Sequence, residues 1–306
     1  MSRKWTTWQD VLTEFILQKR AEGLAWRTLD DYEDHITRFF SRCHVEFADY
    51  EALRRAVLAY LAEPVAPATR NIRLSNLKIF FRWCVDNSYL PDNPCTGIKK
   101  SRDDGTVRHL SLEEVKQLLR QPDRSKYTGL RDYCMILLQL DTGIRPGEMC
   151  QLLPGDVNLE AREIYIRPGV AKTRIGRTLP FSPTTAAALA RLLKVRPTWW
   201  SEKVPLFASE QGNPLTSWWW SKQFKKYSEQ AGVRSSPYCL RHTAAIEFLR
   251  HGADAFSVQR MLGHTDLTMT KRYVNICLDD LKTVHDKASP VQALFTMDKR
   301  ASRKLD

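Results

Sequence analysis

From residue 6 to residue 95 the apolar positions fall at helical spacing, interrupted only by short polar gaps. The run WQDVLTEFILQKRAEG places Val11, Leu12, Phe15 and Ile16 on one face, with Thr7 ahead of it as an N-cap. TLDDYEDHITRFFSRC repeats the spacing through Leu29, Tyr32, Ile36, Phe39 and Phe40, with Thr28 as its cap. ATRNIRLSNLKIFFRWCVDNSYL carries it on through Ile72, Leu77, Phe80, Phe81 and Cys84. An all-helical module is expected.

The pattern lapses after the proline-bounded turn LPDNPC, where TGIKKSRDDGTVR is polar and charged. A linker is placed at 99–108, with a first domain at 1–98, a second at 109–290 and a tail at 291–306. HLSLEEVKQLLRQ restarts helical structure with the capping-box pair Ser111 and Glu114, and GLRDYCMILLQLDTG gives a long apolar helix stopped by Gly143. Alternation of period two occurs at EIYIR (163–167) and RTLPF (177–181), which can pair across PGVAKTRIG. Helical patterns return near 183–194, 217–231, 240–251, 254–262 and 267–276. The expected fold is mainly α: a helical N-terminal domain followed by a mixed α+β domain with a small antiparallel sheet. The triplet WWW at 218–220 is an aromatic cluster compatible with a core or with a base-contacting surface.

Composition narrows the function. A chain of 306 residues with 43% apolar and 27% charged side chains is an ordinary folded protein of about two domains. No stretch approaches 18 apolar residues, and MSRKWTTWQDVLTEF lacks an apolar signal region, so neither a membrane span nor export is expected; the expected location is the cytoplasm, at the nucleoid. Seven cysteines, never closer than 11 positions, draw no zinc or redox motif and read as buried thiols of a reducing compartment. The net charge of +12 is uneven, +2 over residues 1–100 and +10 over the remainder. A polyanionic partner is the first suspicion.

Nucleotide-binding and metal-hydrolase motifs are absent: no GxxxxGK[ST], no HExxH and no acidic cluster at two-metal spacing, so neither metal nor cofactor is expected. What remains is a set of Arg, Lys, His and Tyr residues at element ends. Arg145 follows the helix stop at Gly143 and precedes Pro146 at the first position of a new helix, where anions are favoured. Arg241 lies in YCLRHT, and two guanidiniums offer bidentate donors to a phosphate. His242, next in the chain, is expected on another helix face in a structural role. In the first domain Arg70, Arg73, Lys78 and Arg82 recur along the third helix as candidate DNA contacts.

These boxes resemble the tyrosine recombinase, or phage integrase, family over nearly the whole chain. TGIRPGE is similar to its TGxRxxE box, which implies a catalytic Arg145 supported by Glu148. YCLRHTAAIEFLRHG resembles HxLRHTxAxxLxxxG and implies a catalytic Arg241. MLGHTDLTMTKRYVN resembles LGHxxxxxTxxYxx, implying His264 as a catalytic group and Tyr273, nine positions on, as nucleophile. Lys172, in AKTRIGRTLP, takes the place of the family's hairpin lysine, with Arg174 and Arg177 as phosphate contacts. Residues 6–95 resemble the family's helical core-binding domain. One position departs: the second box opens on Tyr238 where the family has His. A tyrosine hydroxyl donates a hydrogen bond as a histidine does but is a poorer base at neutral pH.

The resemblance implies strand exchange through a 3′-phosphotyrosine, on double-stranded DNA recombination sites, by a homo-tetramer linked through the C-terminal stretch LDDLKTVHDKASPVQALF, with accessory proteins as further partners. Three alternatives remain beside it. A type IB topoisomerase shares the chemistry, a silent DNA-binding regulator is compatible with Tyr238, and a metal-dependent nuclease would stop cleaving in chelator.

Overall fold

The computed structural model describes residues 7–102, 108–263, 265, 268–277, 285 and 289–291. The chain forms two compact units, Met1–Thr106 and Val107–Asp306. No helix among the described residues is long and apolar enough to cross a membrane.

Among its described residues the first unit is four helices, α1 (Trp8–Ala21), α2 (Trp26–Cys43), α3 (Tyr50–Ala62) and α4 (Pro67–Asp86). Thr7 caps α1 as expected, its side chain accepting from the Asp10 N–H. Helix α2 starts two residues before Thr28, with Ala25 at the cap position, so Thr28 is not its cap. Helix α3 has no counterpart among the three patterned segments singled out above. It buries Leu53, Val57, Tyr60 and Leu61 along one stripe, and Asp49 caps it. The core is aromatic: Phe15 meets Phe80 edge-on with centroids 5.4 Å apart, and Trp8 stacks on Phe40 at 4.8 Å.

The second unit is built round α6 (Tyr127–Thr142), which buries Leu130, Cys134, Met135, Ile136 and Leu138. Ahead of it lies α5 (Leu112–Leu119), started by the expected capping box of Ser111 and Glu114. Beyond it come the one-turn α7 (Pro146–Met149) and a sheet of order β1-β2-β3, from Val157–Asn158, Glu163–Ile166 and Arg177–Pro180. Both pairings are antiparallel, with Ile164 opposite Leu179. Ile164 and Ile166 point into the core while Glu163 and Tyr165 face out, the alternation the sequence shows. Strand β1, two residues long, carries no readable alternation.

Helices α8 (Pro183–Lys194), α9 (Ser217–Gln230), α10 (Pro237–Arg250), α11 (Ala255–Leu262) and α12 (Thr268–Cys277) follow. Helix α10 begins three residues before the expected 240, because Pro237 occupies its first position, where no N–H is required. It packs against α6, α9, α11 and α12. Two sides of α10 are therefore covered, which decides where its polar residues point.

Candidate active site

The first arginine is placed by a stop and a start. Gly143 ends α6 at φ +64° and donates its N–H to the Gln139 carbonyl, while Pro146 opens α7, so Arg145 sits between them at the cap position of α7. A Cβ at Gly143 would lie 2.6 Å from Leu262 Cδ2, so both the backbone angle and the space require glycine. From this turn the Arg145 side chain donates through Nη2 to the Gly263 carbonyl at 2.8 Å and through Nη1 to Glu148 Oε1 at 3.0 Å.

Arg241 emerges from the second turn of α10 and is buried. Its Nη1 donates to the Gly143 carbonyl, and Nη2 donates to the Leu262 carbonyl at 2.7 Å. Burial lowers its pKa to about 10, with Arg145 adding to the effect, so the guanidinium stays charged at neutral pH. A further brace comes from Gln139, whose Nε2 donates to the carbonyls of Ile144 and Pro237 and whose Oε1 accepts from the buried indole of Trp220. The turn carrying Arg145, the start of α10 and the Leu262–Gly263 end of α11 are thus tied together by main-chain acceptors.

Glu148 organises the hairpin side. Its carboxylate is 2% exposed and accepts from Arg145, from both Nη atoms of Arg177 (3.2 and 2.6 Å) and from the Lys172 N–H at 3.3 Å. Burial by itself would raise this carboxyl; the Arg177 and Arg145 guanidiniums outweigh burial and hold it below the usual range. Arg177, expected as a phosphate contact, is instead a structural partner of Glu148, and its Nε donates to the Met261 carbonyl. Gly263 passes close beside it: φ is +63° and a Cβ there would lie 3.1 Å from the Arg177 Cζ. Lys172 and Arg174 stand exposed on the loop between β2 and β3, where a cleft of about 710 Å³ runs between Thr173, Ile175 and Thr178 on the hairpin and Ser257 and Arg260 on α11.

Tyr273 lies on α12, 1% exposed, among Ala245, Ile246, Val258 and Leu262. Burial raises its pKa, while the positive charges of Arg241, Arg272 and Arg145 pull the other way. Its hydroxyl is 2.8 Å from Nδ1 of His242. His242 lies on another face of α10 than Arg241, one residue round, and α12 covers that face, so the residue expected in a structural role meets Tyr273. Tyr238 is 53% exposed in the first turn of α10, with no hydrogen bond from its hydroxyl among the described residues. His264 lies outside the described residues.

The motif boxes found in the sequence are therefore drawn together in one unit. Residues 108–277 match the phage integrase family. The chain belongs to that family. It is similar to the tyrosine recombinase XerC of Chlamydia caviae, 30% identical over 245 residues that cover 78% of each chain. It also resembles XerC of Thermodesulfovibrio yellowstonii, 26% identical over 94% of this chain and 98% of the relative. Among solved structures, a lambda integrase dimer bound to a COC' core site superposes with a TM-score of 0.71 at 18% identity, over 88% of this chain and 95% of that one. The Tn1549 transposon integrase in complex with transposon right end DNA gives 0.70 at 19%, over 90% and 99%. These likenesses carry the mainly α fold.

In this tyrosine recombinase the basic residues of α4 are only partly free for a ligand. Arg73 is buried, donating to the Tyr60 carbonyl and pairing with Glu63 at 2.8 Å, so it leaves the set of expected DNA contacts. Arg70 donates to the Lys99 carbonyl and the Ser101 hydroxyl, and Lys78 to the Ile98 carbonyl at 2.6 Å, fastening residues 98–101 along α4. Arg82 stands exposed. The tryptophan triplet divides its roles. Trp220 is core, Trp219 lies under the Arg131 guanidinium at 4.7 Å, and Trp218 is on the surface with the Lys222 ammonium 4.3 Å from its ring.

Proposed function

We propose that this recombinase breaks and rejoins DNA strands at a specific site, with Tyr273 as the nucleophile. The observation that carries the reading is the placement of the Tyr273 phenol within the field of Arg145 and Arg241, two guanidiniums held by the main chain of Gly263, Gly143 and Leu262. In the proposed reaction the phenol oxygen attacks a backbone phosphorus, Arg145, Arg241 and His264 stabilise charge on the non-bridging oxygens, and Lys172 gives a proton to the departing 5′-oxygen. The products are a 3′-phosphotyrosine and a free 5′-hydroxyl. A second 5′-hydroxyl reverses the attack, so strands are resealed without ATP. Glu148 touches no substrate in this scheme and aligns Arg145 and the hairpin lysine.

Arg174 and Arg82, both exposed, are the side chains assigned to DNA phosphates, with Tyr238 hydrogen-bonding the scissile phosphate. The helical first unit is taken as the core-binding domain. A homo-tetramer on two synapsed sites is proposed for the exchange step, acting in the cytoplasm, in a reaction of the class that moves or resolves DNA elements. The tail expected to link subunits, residues 278–295, falls almost wholly outside the described residues.

The experiment is covalent trapping on a nicked duplex whose cleavage releases a short 5′-hydroxyl fragment. Wild type is expected to accumulate a protein–DNA adduct stable in denaturant, and Tyr273→Phe to bind the duplex normally and yield none. An undiminished adduct in the Phe variant would place the nucleophile elsewhere. Adduct formation in chelator separates this chemistry from that of a metal-dependent nuclease.

A further inference from the structure

A phenol must lose its proton to bond to phosphorus, and burial makes that loss harder for Tyr273. The hydroxyl therefore needs an acceptor at hydrogen-bond distance, out of water. Nδ1 of His242 is there at 2.8 Å, and the two rings lie at 47° with centroids 5.7 Å apart, one from α10 and the other from α12. The contact joins two packed helices, not a loop to a helix, so the pair is held in register by the fold.

We propose that His242 takes the proton of the Tyr273 hydroxyl as the strand is cut and gives it back as the strand is rejoined, an inference that rests on Tyr273 being the nucleophile. In the cutting step the Oη–H bond breaks and its proton moves to Nδ1, with the electron pair of Oη forming the bond to phosphorus. The P–O5′ bond breaks at the same time, and O5′ takes its proton from Lys172. Rejoining runs the same transfers backward: the incoming 5′-hydroxyl attacks, the phenolate leaves, and the His242 imidazolium reprotonates it.

The state of the ring fits this role. Burial first, and the neighbouring Arg241 second, lower the pKa of His242 to about 4, so at neutral pH the imidazole is uncharged and carries a lone pair. With Nε2 protonated, that lone pair lies on Nδ1, the atom facing the phenol. A phosphodiester arriving between Arg145 and Arg241 brings a negative charge that offsets Arg241. The basicity of His242 rises when the substrate is in place, which ties proton removal to DNA binding. Tyr238, one helical turn before His242, stands exposed and makes no contact with Tyr273 among the described hydrogen bonds.

The test uses single-turnover cleavage by the full chain on two nicked duplexes, one natural and one with sulfur in place of the scissile 5′-oxygen. A thiolate leaves without a proton, so the sulfur duplex removes the need for Lys172 while keeping the need for a base. His242→Asn retains an oxygen acceptor near the Nδ1 position but cannot take the proton. It is expected to cut both duplexes at least about 100-fold more slowly than wild type, as is His242→Gln, with DNA binding unchanged. Lys172→Ala is expected to be slow on the natural duplex and to recover on the sulfur one. Rates are compared at a temperature where melting curves show every variant folded. A wild-type rate for His242→Asn, or recovery of the His242 variants on the sulfur duplex, would overturn the proton transfer. An adduct in Tyr273→Phe would overturn the nucleophile itself, so the two failures are distinct.

Discussion

Arg145 donates from Nη2 to the main-chain carbonyl of Gly263, 118 positions later in the chain, at 2.8 Å. Arg241 does the same toward Gly143 in the opposite direction along the sequence. Arg241 is thus fastened to the turn that carries Arg145, and both arginines hold the Leu262–Gly263 end of α11, so the pair behaves as one device. Arg145→Ala and Arg241→Ala are each expected to lower single-turnover cleavage by at least about 100-fold, the loss typical of one preorganised charge-stabilising donor. Lysine at either position should rescue poorly, since an ammonium lacks the planar fork. The double variant is expected to lose much less than the product of the two single losses. Full activity in Arg241→Lys would dismiss the paired assignment.

Gly143 and Gly263 are fixed by angle and by space together. Alanine at φ near +60° costs roughly 1–2 kcal/mol before any contact is counted. At Gly143 the new methyl meets Leu262, and at Gly263 it meets the Arg177 guanidinium. Both variants are expected to melt several degrees below wild type, and Gly263→Ala to cleave more slowly in addition, because the displaced arginine shares Glu148 with Arg145. A Gly263→Ala protein that melts and cleaves as wild type would remove this constraint.

Glu148 gives a prediction in pH. Its carboxyl is held below the ordinary range in the folded protein, so its stabilising contribution is complete above the unfolded value near 4.3 and is lost as pH falls through the lowered folded value. Glu148→Gln leaves two partly buried guanidiniums short of a countercharge and should cost about 3 kcal/mol at neutral pH. The gap between the two melting curves is expected to be constant from pH 7 to 5 and to narrow below about pH 4. A gap that widens in acid would contradict the assigned direction.

Tyr238 stands where the family carries histidine. Its exposed hydroxyl is available to a phosphate oxygen, and Tyr238→Phe should slow cleavage roughly 10-fold to 100-fold, the size of one lost bond to a charged group. Because the ring is on the surface, the melting temperature should stay unchanged. Tyr238→His should retain or raise the rate. A silent Phe variant would end the catalytic role of this position.

The sequence made some of this legible and hid the rest for identifiable reasons. Thr7, the Ser111–Glu114 box, the stop at Gly143 and the start at Pro146 are local signals, settled within one turn of chain, and the structure keeps them. Helix α3 does carry the right spacing in Leu53, Val57, Tyr60 and Leu61, but alanines and the Arg54–Arg55 pair between them blur the stripe. Arg73 shares a helical repeat with its basic neighbours; what removes it from the surface is the end of α3, which supplies Glu63 and the Tyr60 carbonyl. The meeting of His242 with Tyr273 is not readable from spacing, because α10 is covered by both α6 and α12 and the pattern of one helix does not say which neighbour lies on which face. The pairing of Arg177 with Glu148 depends on the fold of the hairpin, which no spacing reveals.

The Glu148 carboxylate grips the turn with Arg145, the strand with Arg177 and the loop with Lys172 at once. A genetic selection for clones that can no longer recombine would accordingly recover changes at position 148 as readily as changes at the arginines, although the carboxylate meets no DNA in the proposed reaction. Such a map of inactivating positions would draw the active centre too large. Sorting those clones by resistance to proteolysis would pull the two groups apart: changes at 148 would fall among the digestible proteins, and loss of the phenol at 273 among the resistant ones.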